Sequence, residues 1–182
     1  MTNESKALKS ITLTAMFSAI IAICSWITIP ITIVPFTLQT FAVAISVCML
    51  GTKRSTISVI VYILLGAVGV PVFAGFKGGL GSLLGMTGGY IIGFIFMTII
   101  SGLIIQKFGR KFIVMMLALI LGLAVCYAFG TAWFIYVYTN SKGAIGIVSA
   151  LSMCVFPYII PDILKFSVAI LISNRLYKFT KD

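Results

Sequence analysis

Long apolar runs, each with a short cluster of lysine and arginine at one of its ends, constrain this chain more than any other feature. Ile11–Ile29 contains no charged residue and is 19 residues long, about what a helix rising 1.5 Å per residue needs to cross a bilayer core. Further runs cover Leu38–Leu50, Ser55–Val70, a stretch near Leu84–Ile105, Phe112–Tyr138 and Ala144–Asn174. Between them stand Lys53-Arg54 and the group Lys107, Arg110 and Lys111. Only 9% of the residues are charged and 61% are apolar, whereas soluble domains carry about 25% charged residues. A water-soluble fold is excluded, and so is a disordered chain, which needs low hydrophobicity. The net charge of +10 would suggest nucleic acid in a soluble protein. Here the cations sit at the ends of apolar runs, which is a membrane pattern and points to no nucleic acid.

The runs predict an all-α integral membrane protein of six transmembrane helices, forming one domain over residues 1–182. Pro30 ends the first helix and Pro71 follows the third. The last run, Ala144–Asn174, is 31 residues and too long for one untilted span. Pro157 and Pro161 divide it into a short interfacial piece, Ala144–Val155, and a sixth helix that starts near Pro157 or Pro161. Because Lys and Arg accumulate in cytoplasmic loops, alternate segments fix the orientation. One side holds Lys6, Lys9, Lys53, Arg54, Lys107, Arg110, Lys111, Arg175, Lys178 and Lys181. The other holds Lys77 and Lys142, with Lys165 inside the last span. Ten against two predicts that both termini are cytoplasmic.

On the opposite, outer side the backbone becomes irregular. All five prolines fall there, and ten of the 17 glycines lie between Gly66 and Gly93. Non-helical backbone near a membrane is tolerated where protein buries it or where it lines a cavity. An outward-facing cup is therefore expected, with outer loops capping a ligand pocket, although short loops that need turn residues would leave the same trace.

Asp162 is the one acidic residue away from the termini, and Lys165 follows at i+3 on the same helix face. Intramembrane charges are costly and usually face a bundle interior or a wet cavity. If Pro161 opens the helix, Asp162 lies in its first turn, where the helix dipole favours the anion. The pair either contacts a ligand or neutralises itself. Around it, the glycine-rich stretch offers Phe73, Gly75, Lys77, Thr87 and Tyr90 as close-approach backbone, apolar wall and outer cation. Gln39 and Thr40 either contact a polar ligand or cap the second helix. In the first helix Ala15, Ala19 and Ala22 form a small-residue stripe suited to bundle packing or to a partner subunit. Trp133 and Tyr136–Tyr138 fit an aromatic interface belt.

Several chemistries are absent. There is no histidine and no GxxxxGK[ST] phosphate loop. Cys24, Cys48, Cys126 and Cys154 are isolated in apolar stretches, as buried thiols acting as small hydrophobes are. Nothing points to a metal or a cofactor, and with one internal carboxylate an enzyme would have to pair Asp162 with Lys165 or a tyrosine.

Residues Pro35-Phe36-Thr37-Leu38-Gln39-Thr40, Leu64–Gly75, Thr87-Gly88-Gly89-Tyr90, Gly130-Thr131 before Trp133, and Asp162 with Lys165 together resemble the BioY family. These are biotin-specific substrate-binding subunits of energy-coupling-factor (ECF) transporters. This chain departs from the family pattern at Phe76 (usually Gly), Met86 (usually Pro) and Pro161 (usually Gly). The resemblance implies a six-helix subunit that binds biotin from outside. It also implies association with a membrane coupling (T) subunit and two cytoplasmic ATPases, with the Ala15–Ala19–Ala22 stripe as docking surface. In that setting Asp162 suits a ureido N–H of biotin, Lys165 or Lys77 its carbonyl or carboxylate, and Phe73 and Tyr90 its rings. The alternative is a stand-alone ion-coupled or facilitative transporter that uses Asp162.

Overall fold

A computed structural model describes residues 3–31 and 33–180. The expected terminal charges Lys181 and Asp182, and the side chain of Lys178, lie outside the described residues. The chain runs α1 (Asn3–Trp26), β1 (Thr28–Ile29), β2 (Phe36–Thr37), α2 (Gln39–Ala67), α3 (Leu80–Leu84), α4 (Gly88–Phe108), α5 (Phe112–Lys142), α6 (Ile147–Cys154) and α7 (Phe156–Thr180). Among the described residues, five helical stretches are long and apolar enough to cross a membrane: α1, α2, α4, α5 and α6–α7 together.

The helix α2 holds both the second and the third expected spans. Gly51 interrupts it with φ +76°, a conformation only glycine adopts at little cost. Gln39 Nε2 donates to Tyr62 Oη at 2.7 Å, and these residues lie at nearly equal distances before and after Gly51. The chain therefore doubles back at that point, giving six long helical segments. The connection is tighter than expected: a single residue turns the chain, and Lys53 and Arg54 stand inside the second leg rather than in a loop.

Two other boundaries differ, and a third follows the earlier of the two expected starts. Leu84 belongs to the one-turn helix α3, so the fourth long helix starts at Gly88 rather than near Leu84. Residues Thr28–Ile29 leave α1 and pair antiparallel with Phe36–Thr37, strands too short to show alternation in sequence. The last helix begins at Phe156 and continues through Pro161. Asp162 is thus almost two turns inside, and the expected dipole stabilisation of a first-turn carboxylate does not apply. The short piece expected over Ala144–Val155 is α6.

Packing explains why so much of the glycine stretch is helical. Of the ten glycines from Gly66 to Gly93, five lie within helices, and four of these, Gly66, Gly88, Gly89 and Gly93, are contact points. The pair α4–α5 makes the most extensive helix contact. A Cβ on Gly89 would come within 2.3 Å of Trp133 Cβ, and one on Gly130 within 2.3 Å of the Tyr90 ring. Small residues let such backbones approach closely, which is how helices associate where lipid supplies no hydrophobic drive. The α1–α2 contact is polar: Ser18 Oγ donates to the Ser58 carbonyl at 2.9 Å and Ser58 Oγ to the Thr14 carbonyl at 3.1 Å. Large apolar side chains such as Ile113, Val148 and Ile160 are exposed, as lipid-facing residues must be. All four cysteines are free, and Cys48, Cys126 and Cys154 are buried.

Candidate functional site

The N-terminal ends of α2, α4 and α7 and the loops that connect the helices at that end enclose a cavity of about 470 Å³. That is within the range of small-molecule sites. Its polar centre is Asp162, only 2% exposed. Thr40 Oγ1 donates to Asp162 Oδ1 at 2.7 Å, and Lys165 Nζ donates to the same oxygen at 2.9 Å. Tyr127 Oη, from the middle of α5, donates to Oδ2. A carboxylate offers about four acceptor positions, and the described residues occupy three.

The lysine is more fully committed. Besides Asp162, Lys165 Nζ donates to the Thr37 carbonyl at 2.7 Å and to Thr40 Oγ1 at 3.0 Å. These account for all three ammonium protons. The Phe36 ring centroid lies 3.8 Å from the nitrogen, a cation–π contact, and Phe36 stacks on Tyr158. The β1–β2 hairpin is thus tied to α7 by one ammonium, and Tyr158 Oη adds a bond to the Val34 carbonyl. A desolvated pair is costly unless hydrogen bonds surround it, and here Thr37, Thr40 and Tyr127 supply them.

The opposite wall comes from the loop after α2. Phe73 and Lys77 exchange backbone hydrogen bonds of 2.9 and 3.3 Å, closing a small hairpin with Gly75 (φ +70°) and Phe76 (φ +57°) at its tip. Phe73 is buried where a Cβ on Gly66 would meet its ring at 2.0 Å, and it meets Tyr62 edge-on. The end of α1 holds this hairpin from outside. Ser25 Oγ donates to the Val72 carbonyl, Trp26 Nε1 donates to the Pro71 carbonyl at 2.8 Å, and Trp26 stacks on Phe76 with centroids 5.1 Å apart. On α4, Tyr90 Oη is hydrogen-bonded to Thr131 Oγ1 at 2.9 Å. Trp133 Nε1 donates to the Gly85 carbonyl at 3.0 Å, fixing the turn that leads into Thr87.

The sequence profile of the BioY family matches residues 1–182. The chain belongs to the BioY family. Among its relatives, "Biotin transporter BioY" of Thermotoga maritima is 42% identical over 164 residues, covering 90% of this chain and 92% of that protein. "Probable biotin transporter BioY" of Pyrococcus horikoshii is 40% identical over 168 residues, covering 92% and 96%. A crystal structure described as the S-component for biotin from an ECF-type ABC transporter superposes with a TM-score of 0.86 at 29% identity, covering 98% of this chain and 95% of that one.

Within this BioY chain, seven of the eight residues singled out for substrate line this cavity: Asp162, Lys165, Lys77, Phe73, Thr87, Tyr90 and Gln39. Gly75 does not; it is exposed at the hairpin tip, where its positive φ makes the turn. The alanine stripe divides. Ala15 and Ala19 are exposed on α1, while Ala22 is 7% exposed and packs in the core. Phe76 stands at φ +57°, a conformation that glycine would fill without strain. Sequence reasoning missed Tyr127, and it named Phe36 and Thr37 only within a motif, with no role at the site. For Tyr127 a signal exists: a hydroxyl in the middle of the apolar run Phe112–Tyr138 needs a buried partner.

Proposed function

We propose that this chain binds biotin and serves as the membrane substrate-binding subunit of an ECF-type transporter, a binding and transport component rather than an enzyme. The observation that carries the proposal is the Asp162 carboxylate, buried in a cavity of about 470 Å³ with one acceptor position left after Thr40, Lys165 and Tyr127. Biotin brings two ureido N–H donors, one of which takes that position as a charge-assisted hydrogen bond, the stronger kind. Lys165, with its protons already used, acts by holding Asp162 and the β1–β2 hairpin in place. Phe73 and Tyr90 wall the apolar bicycle, with Gln39 and Thr87 as uncharged neighbours. Lys77, exposed at the mouth, attracts the carboxylate tail.

The ten-to-two distribution of cations supports an orientation with both termini in the cytoplasm and the cavity open to the outside. Partnership with an ECF module agrees with the biotin S-component likeness, and the exposed Ala15–Ala19 face of α1 is the proposed seat of the coupling (T) subunit. The two ATPases would bind that subunit from the cytoplasm. A stand-alone ion-coupled carrier is not favoured, because it needs Asp162 to release its partners in each cycle. The test is calorimetric titration of the purified full chain with biotin, followed by uptake in cells with and without active coupling ATPases. One biotin per chain and ATPase-dependent uptake are expected; no binding, or uptake that ignores the ATPases, overturns the reading.

A further inference from the structure

A second cavity, of about 880 Å³, lies at the opposite, cation-rich end of the bundle. The Gly51 turn of α2, the end of α4, the Gly109–Lys111 link into α5, and Tyr177 of α7 enclose it, with Ser10 of α1 at its edge. Lys53, Arg54 and Arg110 line it, and no Asp or Glu does. The Arg110 guanidinium is held rigidly, with its central carbon 3.5 Å from the Tyr177 ring centroid and Nη1 donating to the Cys48 carbonyl. That bond caps a carbonyl near the end of the first leg of α2 and explains one edge of the guanidinium. It leaves the other: Arg110 Nη2 is buried and has no hydrogen-bond partner among the described residues. Thr52 Oγ1, in the same wall, is buried and unpartnered too. Orphaned buried donors are rare because they are costly, and here two lie in the walls of one cation-lined cleft.

We propose that this cleft binds the phosphodiester headgroup of an anionic membrane lipid. Arg110 and Thr52 would donate to the phosphate oxygens, with Lys53 beside them. The occupant is a lipid rather than a free phosphate because the lining also includes Ile57 and Leu103, both exposed apolar side chains. These give acyl chains a surface continuous with the headgroup site. Basic pockets between transmembrane helices at the cytoplasmic side recognise anionic lipids by this combination.

The full chain, purified in detergent, is incubated with phosphatidylglycerol, with phosphatidylcholine of the same acyl chains, or with inorganic phosphate. Bound lipid is read by native mass spectrometry and the melting temperature by intrinsic fluorescence. Retention of phosphatidylglycerol at least about fivefold above phosphatidylcholine, with a raised melting temperature, is expected. Thr52→Val removes an orphaned hydroxyl, so it should raise the melting temperature of the lipid-free chain while it lowers phosphatidylglycerol retention at least about fivefold. A residue with a merely structural role would not give opposite signs in the two readouts. Lys53→Gln should also reduce retention, with biotin affinity unchanged in both variants, so the test holds even if Arg110→Gln fails to fold. Equal retention of the two lipids, retention indifferent to Thr52→Val and Lys53→Gln, or a full melting shift from inorganic phosphate alone would overturn the proposal.

Discussion

Replacing Asp162 by Asn keeps the shape of the side chain and removes its charge, so it separates packing from electrostatics at the centre of the cavity. In the free protein the consequence falls on Lys165, which is 9% exposed and would lose its anion while keeping the Thr37 carbonyl and Thr40 Oγ1 as acceptors. Breaking a buried pair from one side costs about 3–5 kcal/mol. The two remaining acceptors place this case near the lower end. For the ligand, a ureido N–H would face a neutral amide instead of a carboxylate. Hydrogen bonds to charged groups contribute about 1.5–3 kcal/mol, which predicts biotin affinity weakened by roughly 10- to 150-fold at 1.4 kcal/mol per decade. Calorimetric titration gives the affinity and detergent-phase melting gives the stability. A second variant separates the two effects. Asp162→Asn with Lys165→Met removes both charges, so stability should return toward wild type because no orphan ion remains, while affinity stays low. If folded Asp162→Asn protein binds biotin within about threefold of wild type, Asp162 is not the acceptor. If the double variant regains affinity along with stability, Asp162 acts through the fold rather than on the ligand.

Tyr127→Phe removes one donor from Asp162 without changing charge, so biotin affinity should fall less than tenfold and less than in Asp162→Asn; a larger loss would place Tyr127 on the ligand itself. Lys77→Ala should weaken biotin about two- to fivefold at low salt, as expected for an exposed cation; the difference should vanish for biotin methyl ester or in high salt. Gly130→Ala drives a methyl to 2.3 Å from the rigid Tyr90 ring, and overpacking of this kind costs about 1–3 kcal/mol. Its melting temperature should drop together with biotin affinity, because Tyr90 lines the cavity. Phe76→Gly relieves a left-handed residue, about 1–2 kcal/mol, but loses the Trp26 stack, about 0.5–1.5 kcal/mol. Global stability should therefore change by less than about 1.5 kcal/mol, while hydrogen exchange at the Phe73 and Lys77 amides speeds up.

The membrane architecture was legible because its signal is long: an apolar run of twenty residues ended by Lys or Arg admits few alternatives in a bilayer. Short signals failed in instructive ways. Gly51 looks like one small residue before Lys53-Arg54, yet its positive φ alone reverses the chain. Pro161 looks like a helix start because it cannot donate, but one missing donor in the second turn of a 25-residue helix does not end it here. Gly88, Gly89 and Gly93 belong to the outer glycine cluster and also to the fourth expected run; they are helical, and Gly89 and Gly93 are the seats of Trp133 and Cys126.

The site itself was half legible, and the division follows sequence separation. Asp162 and Lys165 announce themselves because i+3 on a helix guarantees proximity and because no other internal acid competes for attention. What they do depends on partners 35 to 128 residues away in the chain, which no local rule connects. Three of those contacts decide the chemistry. Tyr127 and Thr40 hold the carboxylate from opposite sides, and the Thr37 carbonyl takes the last proton of the ammonium. Read alone, the pair could either contact a ligand or cancel itself; with these partners its geometry allows both. Lys165 is consumed in positioning, and Asp162 retains an acceptor position. The division of labour between two adjacent charges thus comes from the register of α5 and of the β1–β2 hairpin against α7, and Tyr127→Phe against Asp162→Asn is the pair of variants that separates them.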